Sequence, residues 1–236
     1  MTTTDVADLG TILSMWAHPD DETYLSAGIM AQAIRNGQRV VCVHATKGEA
    51  GSQDAERWPL DRLAEIRELE LAEALRILGV TEHRWLGYLD GGCSDVPADE
   101  ATAQIAAIIE EVGPDTVLTF GPDGQTGHPD HIALCGWTTA AVERTNTGAS
   151  LYYATVTPEW WQGPGLFLEP FDVWFAGNPS ITPVDELAID FKPGPDLMEL
   201  KYQAIVAHTS QSEGLLAAVG RDFFFKFAGD ETYRHP

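Results

Sequence analysis

Thr11-Ile-Leu-Ser-Met-Trp-Ala-His-Pro-Asp-Asp-Glu22 changes character at one residue: mostly apolar up to Ala17, it turns fully polar from His18 onward. A short apolar run that stops this abruptly reads as a buried strand delivering its chain into a polar loop. From Thr23 the residues Leu25, Ile29, Ala33 and Ile34 recur at helical spacing, and Asn36-Gly37 supplies a helix stop. Arg39-Val-Val-Cys-Val-His-Ala45 follows as a second buried strand. Strand, helix and strand in this order make a βαβ unit, whose two strands run parallel with a right-handed crossover.

The alternation continues outward from this unit. A helix over Leu60–Leu78 carries Leu63, Ile66, Leu71, Leu75 and Leu78 toward one side and closes at Gly79-Val80, before a short strand at His83–Leu86. A helix over Ala101–Val112, a strand at Thr116–Phe120 and a helix from His131 to Arg144 come next. The pattern predicts an α/β fold: a Rossmann-like, mostly parallel sheet flanked by helices. Beyond Leu151 it loosens into β-like stretches at Tyr152–Val156, Val173–Ala176 and Glu186–Phe191, broken by prolines, and a helical segment at Asp196–Ala207. We read residues 1–236 as a single domain, with 1–150 as its α/β core and 151–236 as a more irregular, β-containing C-terminal lobe that caps the core or extends the sheet.

Composition narrows the partners. With 36 acidic against 14 basic residues, the formal charge is −22, which repels phosphate backbones and anionic membranes. Nucleic acid is therefore excluded as a partner, and no apolar run is long enough for a membrane span. The cysteines Cys42, Cys93 and Cys135 are odd in number and widely spaced, which argues against a disulfide framework and for a reducing, cytoplasmic location. A homo-oligomer is compatible with all of this.

In an open parallel sheet, ligands collect where strands end, so the loops His18–Glu22, Thr46–Ser52, Gly87–Gly92 and Gly121–His131 are where chemistry is expected. In the first, an imidazole and carboxylates at a rigid strand edge can clamp a divalent ion while a neighbouring carboxylate moves protons. Taken alone, an Asp20-Asp21 pair reads better as the cap of the following helix. Gly127-His-Pro-Asp-His131 adds two more imidazoles at another strand end, and two His-Pro-Asp segments are hard to ascribe to capping. A catalytic zinc takes three protein ligands and keeps one position open, a count that one aspartate and two histidines meet. Gly121-Pro-Asp-Gly-Gln-Thr-Gly127 lacks the spacing and the Lys-Ser or Lys-Thr of a phosphate loop. No G-x-S-x-G elbow or H-E-x-x-H signature occurs.

Through His18-Pro-Asp-Asp21 and Gly127-His-Pro-Asp-His131 the sequence resembles the LmbE-like, or PIG-L, family of zinc-dependent N-acetylglucosaminyl deacetylases and amidases, including those acting on mycothiol and bacillithiol precursors. Lys47-Gly-Glu-Ala-Gly51, Arg67 to Val80, Leu86-Gly-Tyr-Leu-Asp90 and, more weakly, Ala207-His-Thr-Ser-Gln211 extend the likeness over most of the chain. The resemblance implies a Rossmann-like fold, with His18, Asp21 and His131 as zinc ligands, Asp20 as general base and a protonated His128 facing the tetrahedral oxyanion. It also implies that Arg67 and Asp90 bind sugar hydroxyls or phosphate; by itself, an arginine on a helix reads as surface charge. Thr126 stands where the mycothiol branch carries a tyrosine, and a threonine hydroxyl has neither the reach nor the acidity of a phenol.

Glu49, in the loop after the second strand, either binds substrate or orients a ligand. The aromatic run Phe223–Phe227 and the pair Trp160-Trp161 read as core or subunit contacts; at the mouth of a site they would suit a bulky substrate. The expected function is zinc-dependent removal of an N-acyl group, acetyl in the simplest case, from a small amino-sugar substrate, with Fe2+ or Co2+ acceptable to the same ligands. An amidase acting on a larger amide would use the same centre, and a non-catalytic sugar-binding module of the same fold is the reading from another class.

Overall fold

A computed structural model describes residues 2–171 and 173–236. The strands are β1 (Ile12–Trp16), β2 (Val40–His44), β3 (Glu82–Trp85), β4 (Thr116–Thr119), β5 (Ser150–Thr155), β6 (Ile189–Phe191) and β7 (Glu231–Arg234). The helices are α1 (Asp21–Leu25), α2 (Ala27–Arg35), α3 (Leu60–Leu78), α4 (Ala98–Val112), the short turn α5 (Gly124–Gly127), α6 (Pro129–Thr145), the short turn α7 (Pro158–Trp160), α8 (Pro195–Ala207), α9 (Thr209–Val219) and α10 (Arg221–Phe227).

The strands form one sheet in the order β3-β2-β1-β4-β5-β7-β6. The first five are parallel, with Ile12 beside Val40 on one side and Thr116 on the other. β7 runs antiparallel to both β5 and β6, so the C-terminal lobe extends the sheet. Every residue of β1, β2 and β4 is buried, as expected for strands covered on both faces, and this is why they read as unbroken apolar runs rather than alternating ones. The strand order reverses direction between β1 and β4. A crevice opens at such a switch point, outside the carboxyl ends of the strands, and the loops after β1 and β4 are the two that carry His-Pro-Asp.

Helix α3 buries Leu63, Arg67, Leu71, Ala74, Leu75 and Leu78 and ends on Gly79 in the left-handed conformation. Ile66, expected on that face, is only half buried, and Arg67 takes the inward position. The expected helix from Thr23 is broken at Ser26 into α1 and α2. Val173–Ala176 is not a strand: its Val-Trp-Phe composition suits one, but among the described residues the segment's one backbone hydrogen bond runs from Phe175 N–H to the Thr126 carbonyl, 2.7 Å. One apolar cluster runs from Val6 to Tyr233, and a smaller one joins Ile205, Phe224 and Ala228, with Tyr24 and Phe227 against it. Phe224 is fully buried there, as core; Phe227 turns toward the crevice.

Candidate metal centre and acid-base site

The loop after β1 brings His18 and Asp21 together, and the first turn of α6 adds His131. His18 Nδ1 lies 3.1 Å from His131 Nε2 and 3.6 Å from Asp21 Oδ2, and His131 Nε2 lies 3.5 Å from Asp21 Oδ1. A tetrahedral ion with bonds of ~2.0–2.1 Å has ligand-to-ligand edges of about 3.3 Å, close to the separation of the two imidazole nitrogens, while Asp21 faces each of them through a different carboxylate oxygen.

The second ring nitrogens explain why those atoms face inward. His131 Nδ1 donates to the Gly124 carbonyl, 2.9 Å, which leaves Nε2 as a bare lone pair. His18 Nε2 donates to Asp90 Oδ1, 3.0 Å, and Asp130 Oδ2, 3.2 Å, which turns Nδ1 toward His131 and Asp21. Asp130 is fully buried and also accepts the Gly91 and Cys93 amides at 2.7 and 3.1 Å, so it is itself locked. Carboxylate, histidine and cation position form the arrangement that orients metal ligands. Burial opposes a charge on His18, but its bonds to Asp130 and Asp90 and the field of Asp21 prevail and hold its pKa up at about 10. A cation binding at Nδ1 therefore displaces a proton.

Asp20 sits beside this trio with φ 112° and ψ −33°, a left-handed backbone that is costly for a residue with a Cβ. Its surroundings hold it there. Asp20 N–H donates to Glu22 Oε2, 2.9 Å, and its carbonyl accepts from Thr23 N, Thr23 Oγ1 and Tyr24 N. Glu22 is fully buried and clamped between His44 Nε2 and His208 Nε2, each 2.9 Å away, and His44 Nδ1 reaches His83 Nε2 at 3.0 Å. Burial raises the Glu22 pKa, but the two histidines outweigh it and hold the carboxyl below its usual range. The Asp20 carboxyl is pushed up to about 6 by burial and by Asp21, while the Arg67 guanidinium, 3.4 Å away, pulls it down. A carboxyl near 6 can both take and return a proton close to neutral pH.

Several residues stand differently from expectation. Arg67 is not a surface charge: it is 3% exposed, donates to the carbonyls of Gly48 and Pro19, and faces Asp20. A Cβ on Gly48, where φ is +67°, would fall 2.3 Å from the guanidinium, so a glycine is needed there. Asp90 orients His18 and accepts the Ala50 amide, 2.9 Å. Glu49 is absent from the crevice wall and instead supports the Asp90 turn by accepting the Asp90 amide, 3.0 Å. His128 Nδ1 accepts the Asp130 amide, 3.2 Å, leaving Nε2 to carry the ring's proton. Burial and the charge on His18 lower its pKa, against the pull of three aspartates, so the surroundings favour a neutral Nε2–H donor over the expected imidazolium. Asp130 and Glu22 lie inside the motifs without an assigned part; each is next in sequence to a ligand candidate, His131 and Asp21, and that adjacency was the available signal. His208 lay in the weaker Ala207–Gln211 likeness.

Residues 13–142 match the family described as GlcNAc-PI de-N-acetylase, PIG-L. The chain is also 32% identical to a 1D-myo-inositol 2-acetamido-2-deoxy-alpha-D-glucopyranoside deacetylase of Mycobacterium sp. (strain KMS), over 94% of this chain and 82% of that one. The chain belongs to the PIG-L family. Among solved structures, a conserved protein of Thermus thermophilus superposes with TM-score 0.61 at 25% identity, covering 97% of this chain and 95% of that one. N,N'-diacetylchitobiose deacetylase of Pyrococcus horikoshii shares the fold at TM-score 0.63 and 24% identity, covering 97% and 84%. The chain presents His/Asp groups able to bind a metal ion, and among the described residues no helix is long and apolar enough to cross a membrane.

Proposed function

We propose that this PIG-L protein is a zinc-dependent N-deacetylase of amino-sugar conjugates, with His18, Asp21 and His131 as the ligands. The observation that carries the reading is the approach of His18 Nδ1 to His131 Nε2 at 3.1 Å, with one Asp21 carboxylate oxygen 3.6 Å from the first and the other 3.5 Å from the second, beside the carboxyl of Asp20. Neutral imidazoles and one carboxylate are the donor set of a catalytic rather than a closed structural zinc site. A zinc ion held there supplies Lewis acidity to the acyl carbonyl and acidifies a water to near neutral pH.

The chain's own groups do the rest. Asp20 takes the proton of the attacking water and returns it to the amine as the C–N bond breaks, which requires the carboxylate form first and the acid form second. His128 donates Nε2–H to the oxygen on which negative charge develops, and as a neutral donor it brings no competing cation into the centre. Arg67 holds the Asp20 loop and tunes its acidity. Three free, buried cysteines suit a cytoplasmic, reducing location.

The test is acetate release from N-acetylglucosaminyl glycosides by the zinc-loaded protein. Asp20→Asn is expected to lose about two to four orders of magnitude in kcat while retaining one equivalent of zinc. Full activity in that variant removes Asp20 as the base.

A further inference from the structure

The crevice above the metal centre is about 570 Å³, far larger than an acetyl group needs, and its walls are of two kinds. One gathers around Arg67: Ser52, Gln53 and Gln211, with Gln211 Nε2 donating to the Gly51 carbonyl at 2.9 Å. The other is aromatic and begins at the centre itself, where Phe175 stands edge-on to His128 with ring centroids 4.7 Å apart. On the Asp20 side Tyr24 packs on Phe227 at 5.8 Å, Phe227 on Trp160 at 5.9 Å, and Trp160 on Trp174 at 6.2 Å. Trp160 Nε1 donates to the Phe227 carbonyl, 2.8 Å, which ties α7 to α10 and spends the indole's polar group. Leu215 of α9 closes the same wall.

The charge of the crevice is equally one-sided. Apart from the histidines, Arg67 is the only basic residue among its described lining residues, and its guanidinium is engaged by two carbonyls and Asp20. Asp20, Asp21, Asp90, Asp230 and Glu231 also line it. A phosphate or carboxylate on the substrate finds no free cation here and meets several carboxylates.

We propose that the aromatic wall is a subsite for an uncharged, apolar arm of the substrate, an aryl or alkyl group joined to the amino sugar, and that it selects against phosphorylated and plain polyol conjugates. The proposal rests on the deacetylase reading for the identity of the sugar end. The polar wall takes sugar hydroxyls near the centre, and the apolar arm lies along Tyr24, Phe227, Trp160 and Trp174. Flat aromatic faces bury much apolar area while losing little side-chain freedom, so such an arm contributes affinity without any polar contact.

The experiment compares acetate release by the zinc-loaded protein from the methyl, hexyl and phenyl β-glycosides of N-acetylglucosamine and from its 1-phosphate. The expected kcat/KM is about tenfold or more higher for phenyl and hexyl than for methyl, and lowest for the 1-phosphate. Trp160→Ala and, as a milder variant, Phe227→Leu bring the phenyl-to-methyl ratio down toward one. In parallel, calorimetry with phenyl and hexyl β-glucosides, which carry no acyl group, reads the subsite without turnover. Hydrolysis of all three glycosides within about twofold of one another, or preference for the 1-phosphate, overturns the subsite and leaves the deacetylase intact. Binding of the apolar glucosides but not of methyl glucoside, with no acetate released, supports the subsite and overturns the deacetylase reading instead.

Discussion

The crevice is built from two regions made in different ways. One consists of loops that leave the carboxyl ends of β1, β2 and β4 and the turn beyond β3; it contributes His18, Asp20, Asp21, Asp90 and His131, each fixed by backbone amides, carbonyls or buried carboxylates. The other runs from Thr157 to Asp230 and contributes rings that pack mainly on one another. The first region is determined atom by atom, because acid-base and metal chemistry tolerates little displacement. The second needs only shape and apolar area, and aromatic rings supply both without directional bonds. The molecule thus separates the groups that react from the groups that choose.

His208 crosses that boundary, since it starts α9 yet holds Glu22 in the first region, and it offers the strongest way to break the comparison. Glu22→Gln leaves a buried imidazole without its counter-charge and loosens the left-handed backbone of Asp20. We expect a stability loss of about 3 kcal/mol by denaturant titration and roughly a tenfold or greater fall in kcat with little change in KM. His208→Ala should act in the same direction. A catalytic fall without a stability loss would mean that the clamp is not structural.

Next in size is a pH effect that sharpens the role of Asp20. Because burial raises its pKa to about 6 and the base must be ionised, kcat/KM falls as pH falls through that value, and a bound cation pulls the limb lower. Arg67 opposes the rise, so Arg67→Gln should move the acid limb to higher pH; a move to lower pH contradicts the pairing. The smallest effect concerns the seam between the regions. Gly127 has φ +78°, and a Cβ there would lie 2.7 Å from the Ala176 backbone. Gly127→Ala should cost about 1–2 kcal/mol and displace the Phe175 strap, read as a changed phenyl-to-methyl ratio together with a lowered melting temperature.

The two regions were not equally legible in the sequence. β1, β2, β4 and their loops could be read because buried parallel strands are continuous apolar runs and because reactive residues follow them directly. Arg67 was readable too, since it lies four residues from both Leu63 and Leu71 and so shares their buried face, but the rarity of buried arginine argued the other way. The Glu22–His208 bond spans 186 residues, and no local pattern encodes a contact of that range. Val173–Ala176 shows the converse error: strand composition without a partner strand makes a strap. Helix α9 and strand β7 were not anticipated, because their spacing is irregular and tertiary packing decides them.

His18, Asp21 and His131 share the centre with a second trio, since His18, His128 and His131 also place nitrogens close together. Titrating apoprotein with Co2+, followed by visible absorption and calorimetry, separates them directly. Wild type should bind one equivalent with a four- or five-coordinate spectrum, retained in His128→Ala and lost or weakened at least about tenfold in His18→Ala, Asp21→Ala and His131→Ala. Loss of the ion in His128→Ala with full binding in Asp21→Ala would contradict the first trio as the ligand set.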